Sequence, residues 1–116
     1  MDSRIKYIYK ILSLSEWKEA KTTNRIVTEL DKKDGFIHLS TANQLKETLD
    51  IHFSNSENVY ILAYESVRLD GLVWETSRNN DLFPHLYGKI HFENINKKIF
   101  LKKNQGHFLI PIDFLN

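Results

Sequence analysis

Residues 34–44 read DGFIHLSTANQ. In an extended chain side chains alternate between faces, so Phe36, His38 and Ser40 point one way and Ile37 and Leu39 the other. The second set can enter a core, while the first presents a hydroxyl and a titratable ring on the opposite side. Such a strand serves a core and a site at once, and an ordinary edge strand shows the same pattern. Asp34-Gly35 is the turn signal that launches it. Thr41-Ala-Asn-Gln44 then matches a capping box, and a helix is predicted from there to about Phe53, with Leu45, Leu49 and Phe53 as its apolar stripe.

Upstream, residues 5–12 (IKYIYKIL) are β-branched and aromatic and read as the first strand. Residues 15–21 (SEWKEAK) predict a short helix with Ser13 or Ser15 as N-cap and Trp17 on the buried side. Residues 22–35 are polar and read as a connection. Downstream, residues 59–64 (VYILAY) are apolar nearly throughout and predict a central strand. Short extended pieces are expected at 67–69, 72–75, 86–92, 98–101 and 107–110, with Pro111 demoting the last. Helices early and short strands late give an α+β class with a mostly antiparallel or mixed sheet. No repeat or linker interrupts the chain, so residues 1–116 are expected to form a single domain.

A length of 116 residues, 41% apolar and 27% charged, is that of a soluble globular domain able to bury its own core. Sixteen basic residues against fifteen acidic ones leave a net charge of +1, which offers no bulk attraction for nucleic acid or acidic membrane. The absence of cysteine excludes disulfides, thiol catalysis and thiolate metal sites. The start MDSRIKYIYKILSLSEW has only a short apolar run interrupted by Lys6 and Lys10, so neither a secretory segment nor a membrane span is expected, and a cytoplasmic protein is. Neither a His-Glu-x-x-His motif nor a glycine-rich phosphate loop occurs, and no metal is expected.

The second informative stretch is WETSRNNDLFPHLYGKIHF, residues 74–92. If residues 85–92 are extended, His85 and Tyr87 share a face with Lys89 and His91, while Leu86, Ile90 and Phe92 share the other. The chain thus twice places a histidine two residues from a hydroxyl and opposite apolar partners.

These strings carry a resemblance. DGFIHLST, the YKI of residues 9–11 with Trp17 downstream, WE at 74–75, Arg78 and FPHLYG at 83–88 resemble the uncharacterised family called domain of unknown function 952. The resemblance implies an ADP-ribosyltransferase-like fold, a split and strongly bent sheet with an NAD cleft between its halves. The HLS stretch is also similar to the histidine-bearing strand of the RNA 2′-phosphotransferase branch of that superfamily. Many relatives carry histidine where this chain has Lys10, although a lysine can still donate to a phosphate or ribose oxygen.

What the resemblance implies for chemistry is a site for NAD as substrate: groups to fix ribose hydroxyls, a flat contact for nicotinamide, a cation near the pyrophosphate and a carboxylate for the acceptor. On that expectation His38 and Ser40 hold ribose hydroxyls, and Tyr87 stacks with nicotinamide or adenine. Arg78 is the phosphate fork, Lys10 donates to phosphate or ribose, Glu75 is the carboxylate, and His85 binds ribose or acts as acid or base. The two histidine strands are expected to face each other across the cleft. Plainer roles exist for each: a satisfied structural histidine, a core tyrosine, a surface pair between Glu75 and Arg78. Trp17 and Trp74 read as core or cleft wall, His52 as the edge of the buried helical stripe, and His91 and His107 carry no assigned role.

Two rival functions follow from the same residues. One is a metal-free phosphoesterase with one histidine as base and one as acid, against which His85-Leu86-Tyr87 lacks the small hydroxyl of His38-Leu39-Ser40. The other is a non-catalytic nucleotide- or peptide-binding module on the same scaffold.

Overall fold

The computed structural model describes residues 5–115, so the first four residues of the N-terminal stretch lie outside the described residues. Among the described residues two three-stranded antiparallel sheets form the fold, with no parallel pair between the strands. The first has the order β1 (Tyr7–Ser13), β3 (Asn58–Glu65), β6 (Lys97–Lys102); the second has β2 (Ile37–His38), β5 (Leu82–Leu86), β4 (Leu72–Thr76). One backbone bridge joins them: Tyr9 N–H donates to the Ser40 carbonyl (2.8 Å) and Ser40 N–H to the Tyr9 carbonyl (2.9 Å).

The apolar run of β3 has a simple cause, since both of its faces are buried. Leu62 and Tyr64 enter one core with Ile8, Leu12 and Trp17, while Val59, Ile61 and Ala63 enter a second with Tyr9, Ile11, Leu45 and Leu49. The first core also takes Ile37, Leu39 and Leu86, the apolar face of the histidine-bearing strands. The expected alternation holds over residues 36–39, where Ile37 and Leu39 are buried and Phe36 and His38 are partly exposed, but Ser40 is buried too.

Helix α1 (Leu14–Thr23) starts at Ser13, whose hydroxyl accepts from Glu16 N–H (3.2 Å) while Glu16 accepts from Ser13 N–H (2.8 Å). After Thr41 a single 3₁₀ turn, Ala42–Gln44, leads into helix α3 (Leu45–His52). The capping reading of Thr41 is visible in the 3.0 Å bond from its N–H to Gln44 Oε1.

Four expectations need correction. Residues 22–35 are not all connection: α2 (Glu29–Asp34) lies among them, started by Thr28 with Asp31 as its capping partner and closed by Gly35 in the left-handed region. Residues 67–69 belong to a 3₁₀ turn, Ser66–Arg68, rather than a strand. No strand forms at 107–110, where His107 only closes a turn with Asn104. The strand expected over 86–92 runs instead over Leu82–Leu86, upstream of the turn at Gly88, so Lys89 and His91 do not extend it. The strand includes Pro84, a residue disfavoured inside a central strand, whose carbonyl accepts from Leu39 N–H (3.2 Å) while β5 holds the middle of its sheet.

Leu62, fully buried on the central strand, tests this architecture. Truncating it leaves a cavity between the sheets, so Leu62→Ala lowers unfolding free energy by about 2–5 kcal/mol in urea denaturation.

Candidate active site

The site is built on a buried carboxylate. Asp31, at the third position of α2, reaches back to cap its own helix: its Oδ2 accepts from Thr28 N–H (2.9 Å). Lys10 Nζ lies 2.8 Å from the same oxygen and 3.0 Å from Oδ1. Oδ1 also accepts from His38 N–H (3.0 Å) and lies 2.7 Å from His38 Nδ1. One residue thereby ties α2, β1 and β2 together. Burial opposes its charge, but hydrogen bonds from the His38 ring, the Lys10 charge and the Lys10 hydrogen bond outweigh it and hold the Asp31 carboxyl far below the ordinary carboxylate range. Burial pushes the Lys10 ammonium below its usual value, and Asp31 offsets part of that. The Lys10 ammonium also donates to the His38 carbonyl (3.0 Å), so its hydrogens are already committed to the wall of the site.

His38 is bracketed. Its Nδ1 faces Asp31 and its Nε2 lies 2.9 Å from Asp34 Oδ2, at the open rim. Ionised carboxylates only accept, so serving both requires a proton on each ring nitrogen.

His85 is opposite His38 in the register of β2 with β5, and the ring centroids are 5.8 Å apart. The two histidines are thus neighbours on one sheet face; the expectation that they oppose each other across the cleft is corrected by strand pairing. His85 is buried, its ring stacks on Phe36 (centroids 4.0 Å), and its Nδ1 lies 2.8 Å from Glu75 Oε1. The same oxygen accepts from the Tyr87 hydroxyl (2.8 Å). First the His85 bond and then the Tyr87 bond hold the Glu75 carboxyl below its usual value, and the donated bond raises the Tyr87 hydroxyl. Geometry therefore fixes His85 through Nδ1 and leaves Nε2 as the nitrogen available for chemistry.

Arg78 follows Ser77 on a tight loop in which Asn79 and Asn80 both adopt left-handed backbone angles (φ 57° and 62°), a conformation asparagine tolerates better than most residues. Its guanidinium lies over the Phe83 ring (4.9 Å) and donates to Thr48 Oγ1 (3.0 Å). Glu47 Oε1 sits 2.7 Å from Nε as an ion pair, although that N–H is not aimed as an aligned hydrogen bond. Thr48 Oγ1 also meets the Ser40 hydroxyl (3.3 Å).

These groups line one cleft of about 420 Å³, between β1 on one side and β2, β5 and α3 on the others. Of the seven residues singled out from sequence, Lys10, His38, Ser40, Arg78 and His85 line it. Glu75 and Tyr87 do not; they stand behind His85, and Tyr87 is half-exposed. The expected surface pair of Glu75 with Arg78 is absent among the described residues, since each has another partner. Sequence reading missed Asp31 and Asp34, whose signal was the capping pattern Thr28-Glu-Leu-Asp31 followed by Gly35. It also missed Glu47 and Thr48 on α3, and it read His52 as the edge of the buried stripe, whereas His52 is exposed on the helix surface. His52 lines the cleft, and burial first, then the charges of Arg78 and His38, lower its pKa. Among the described residues no group of three or more His, Asp or Glu side chains is arranged to hold a metal, and no helix is long and apolar enough to cross a membrane.

The chain belongs to the family described as protein of unknown function DUF952, which matches residues 11–98. That span holds every residue singled out above except Lys10. The fold is similar to the X-ray crystal structure of protein CC0527 from Caulobacter crescentus, with a TM-score of 0.84 and 37% identity over 94% of this chain and 97% of that one. The solution NMR structure of CC0527 gives a TM-score of 0.76 and 38% identity over 88% of this chain and 90% of that one. No curated protein matches.

Removing the Asp31 charge leaves the Lys10 ammonium buried without its partner, so Asp31→Asn costs about 3–5 kcal/mol of stability. Folding lowers the Asp31 pKa, so its contribution is complete above the unfolded carboxyl value of about 3.9 and is lost as pH falls below that toward the folded value. Urea midpoints measured from neutral pH into acid show this loss in the wild type and a flatter profile in Asp31→Asn.

Proposed function

We propose that the chain is an enzyme acting on a ribose-phosphate ligand of the NAD or ADP-ribose type, on an ADP-ribosyltransferase-like scaffold. The observation that carries this reading is the convergence of His38, Ser40, Arg78 and His85 on one cleft, with the His85 ring already oriented by a carboxylate. The cleft volume is in the range of small-molecule sites, about 300–1,000 Å³. Two sheets joined at the Tyr9–Ser40 bridge, with the cleft beside that junction, are compatible with the split sheet of the scaffold.

In this reading Arg78 anchors a phosphate through the guanidinium edge not engaged by Glu47 and Thr48. Ser40 and His38 meet the ribose hydroxyls. The ribose–nicotinamide bond breaks with its electron pair leaving on nicotinamide, and an acceptor oxygen attacks the oxocarbenium-like carbon. His85 Nε2 takes the proton that the acceptor loses. Glu75, outside the cleft, is a positioning residue that fixes the His85 tautomer.

A second reading is favoured by one observation, the cross-strand pairing of His38 with His85. Two adjacent imidazoles, each with its own carboxylate, form an acid–base pair for phosphoester cleavage without NAD. There His85 Nε2 takes a proton from the attacking hydroxyl, and His38, once its Nε2 leaves Asp34, protonates the departing oxygen.

An NMR titration of labelled protein with NAD, ADP-ribose and a cyclic nucleotide tests both. NAD or ADP-ribose is expected to shift amides at 36–40 and 83–88, and His38→Ala and His85→Ala to abolish the shifts while staying folded. Silence of those amides at millimolar nucleotide overturns the first reading, turnover of the cyclic nucleotide alone selects the second, and binding without turnover leaves a binding module. Where turnover is found, Glu75→Gln lowers kcat on the order of 10²-fold with KM little changed.

A further inference from the structure

The sheet face that carries the histidines does not end at them. Two register positions beyond the His38–His85 pair, past Ile37 and Leu86, come Phe36 and Tyr87, with ring centroids 5.5 Å apart. Past these rings, between the end of β5 and helix α2, lies a second groove of about 390 Å³. Ile26, Ile37, Leu86 and Ile90 are buried along its floor, and charged side chains share its lining.

The charge on this groove is one-sided. Arg25, Lys32 and Lys89 line it and are all exposed. The acid lining it is Asp31, whose charge is already neutralised by Lys10 and His38. Among the described residues Arg25 and Lys89 have no ion pair, and Lys32 has only an exposed contact of 3.7 Å with Glu29. On a chain with a net charge of +1, three cations around one concavity without a free acid are a local excess, and surface cations gain little unless an anion meets several at once. Tyr87 adds a flat surface: the residue is 50% exposed, yet its hydroxyl is held by Glu75, so its orientation is set.

We propose that this groove is a second ligand site that takes a phosphate-bearing group with a planar base, of the nucleoside diphosphate class. The phosphates sit among Arg25, Lys32 and Lys89, and the base lies on the Tyr87 ring. Base stacking on an aromatic side chain contributes about 1–3 kcal/mol, and charge-assisted bonds to phosphate are the stronger kind of hydrogen bond. The site stands on its own residues, and the reading of the first cleft can fail without it.

The test uses the labelled full chain at low salt, with inorganic pyrophosphate and ADP as probes. Both are expected to shift the amides of Gly35, Gly88 and Lys89, with ADP also moving the Tyr87 ring signals. The double variant Arg25→Glu, Lys89→Glu, altered only at exposed positions, weakens both probes at least about tenfold, equivalent to the loss of one charged hydrogen bond. Amides at the groove that stay unmoved at millimolar probe overturn the proposal, as does an unchanged Kd in the double variant. Shifts confined to residues 38–40 and 77–85 place the anion in the first cleft and overturn it too. Shifts at Gly35, Gly88 and Lys89 with the first cleft silent to NAD leave this site standing while the other reading falls.

Discussion

A single buried carboxylate holds the histidine wall in place. Asp31 accepts from its own helix cap, from the Lys10 ammonium, and from both the backbone and the ring of His38. An ammonium as enclosed as that of Lys10 is tolerated only when its charge is paired and its hydrogens have acceptors. Here Asp31 and the His38 carbonyl provide both. The two-residue strand β2 is too short to be held by its ladder alone. Its place depends on this charge cluster, on the β5 pairing and on the bridge at Ser40. The position of the His38 ring is therefore a property of the folded core and not of a flexible loop.

The same cluster shows where sequence is informative and where it stops. Alternation along residues 36–39 was readable because one face of the strand is buried, and burial writes a period of two into residue type. Helix α2 escaped because ELDKKD has no apolar stripe: Leu30 is largely exposed, and the residue it buries is an acid. Its ends were legible in principle, in Thr28, Asp31 and Gly35, but capping patterns without periodicity were outweighed by polarity. Lys10 read as a free cation since its partner lies 21 positions away, a separation that local pattern does not encode. Nothing local marked residues 82–85 as strand, and tertiary pairing with β2 and β4 is what makes them one despite Pro84.

Register was equally beyond the sequence. Two His-x-hydroxyl stretches were visible, and opposition across a cleft was one geometry consistent with them. Adjacent antiparallel strands make a different object, in which His38 and His85 stand side by side and differ in what surrounds them. His38 is half-exposed between two carboxylates, while His85 is buried against Phe36 with one carboxylate at Nδ1. The two chemically identical side chains thus meet unequal surroundings, one at an open rim and one against an aromatic ring.

The Arg78 end of the cleft adds a constraint of its own. Glu47 accepts from Asn79 as well as pairing with Arg78, and Thr48 links the guanidinium to Ser40. The strained asparagine pair is thus held from α3, and the guanidinium is oriented before any ligand arrives. Preorganisation of this kind lowers the ordering cost of binding. Under the proposed reading it also fixes direction: the Lys10 ammonium is committed to Asp31 and the His38 carbonyl, so the oriented Arg78 guanidinium is the cation left to meet a phosphate.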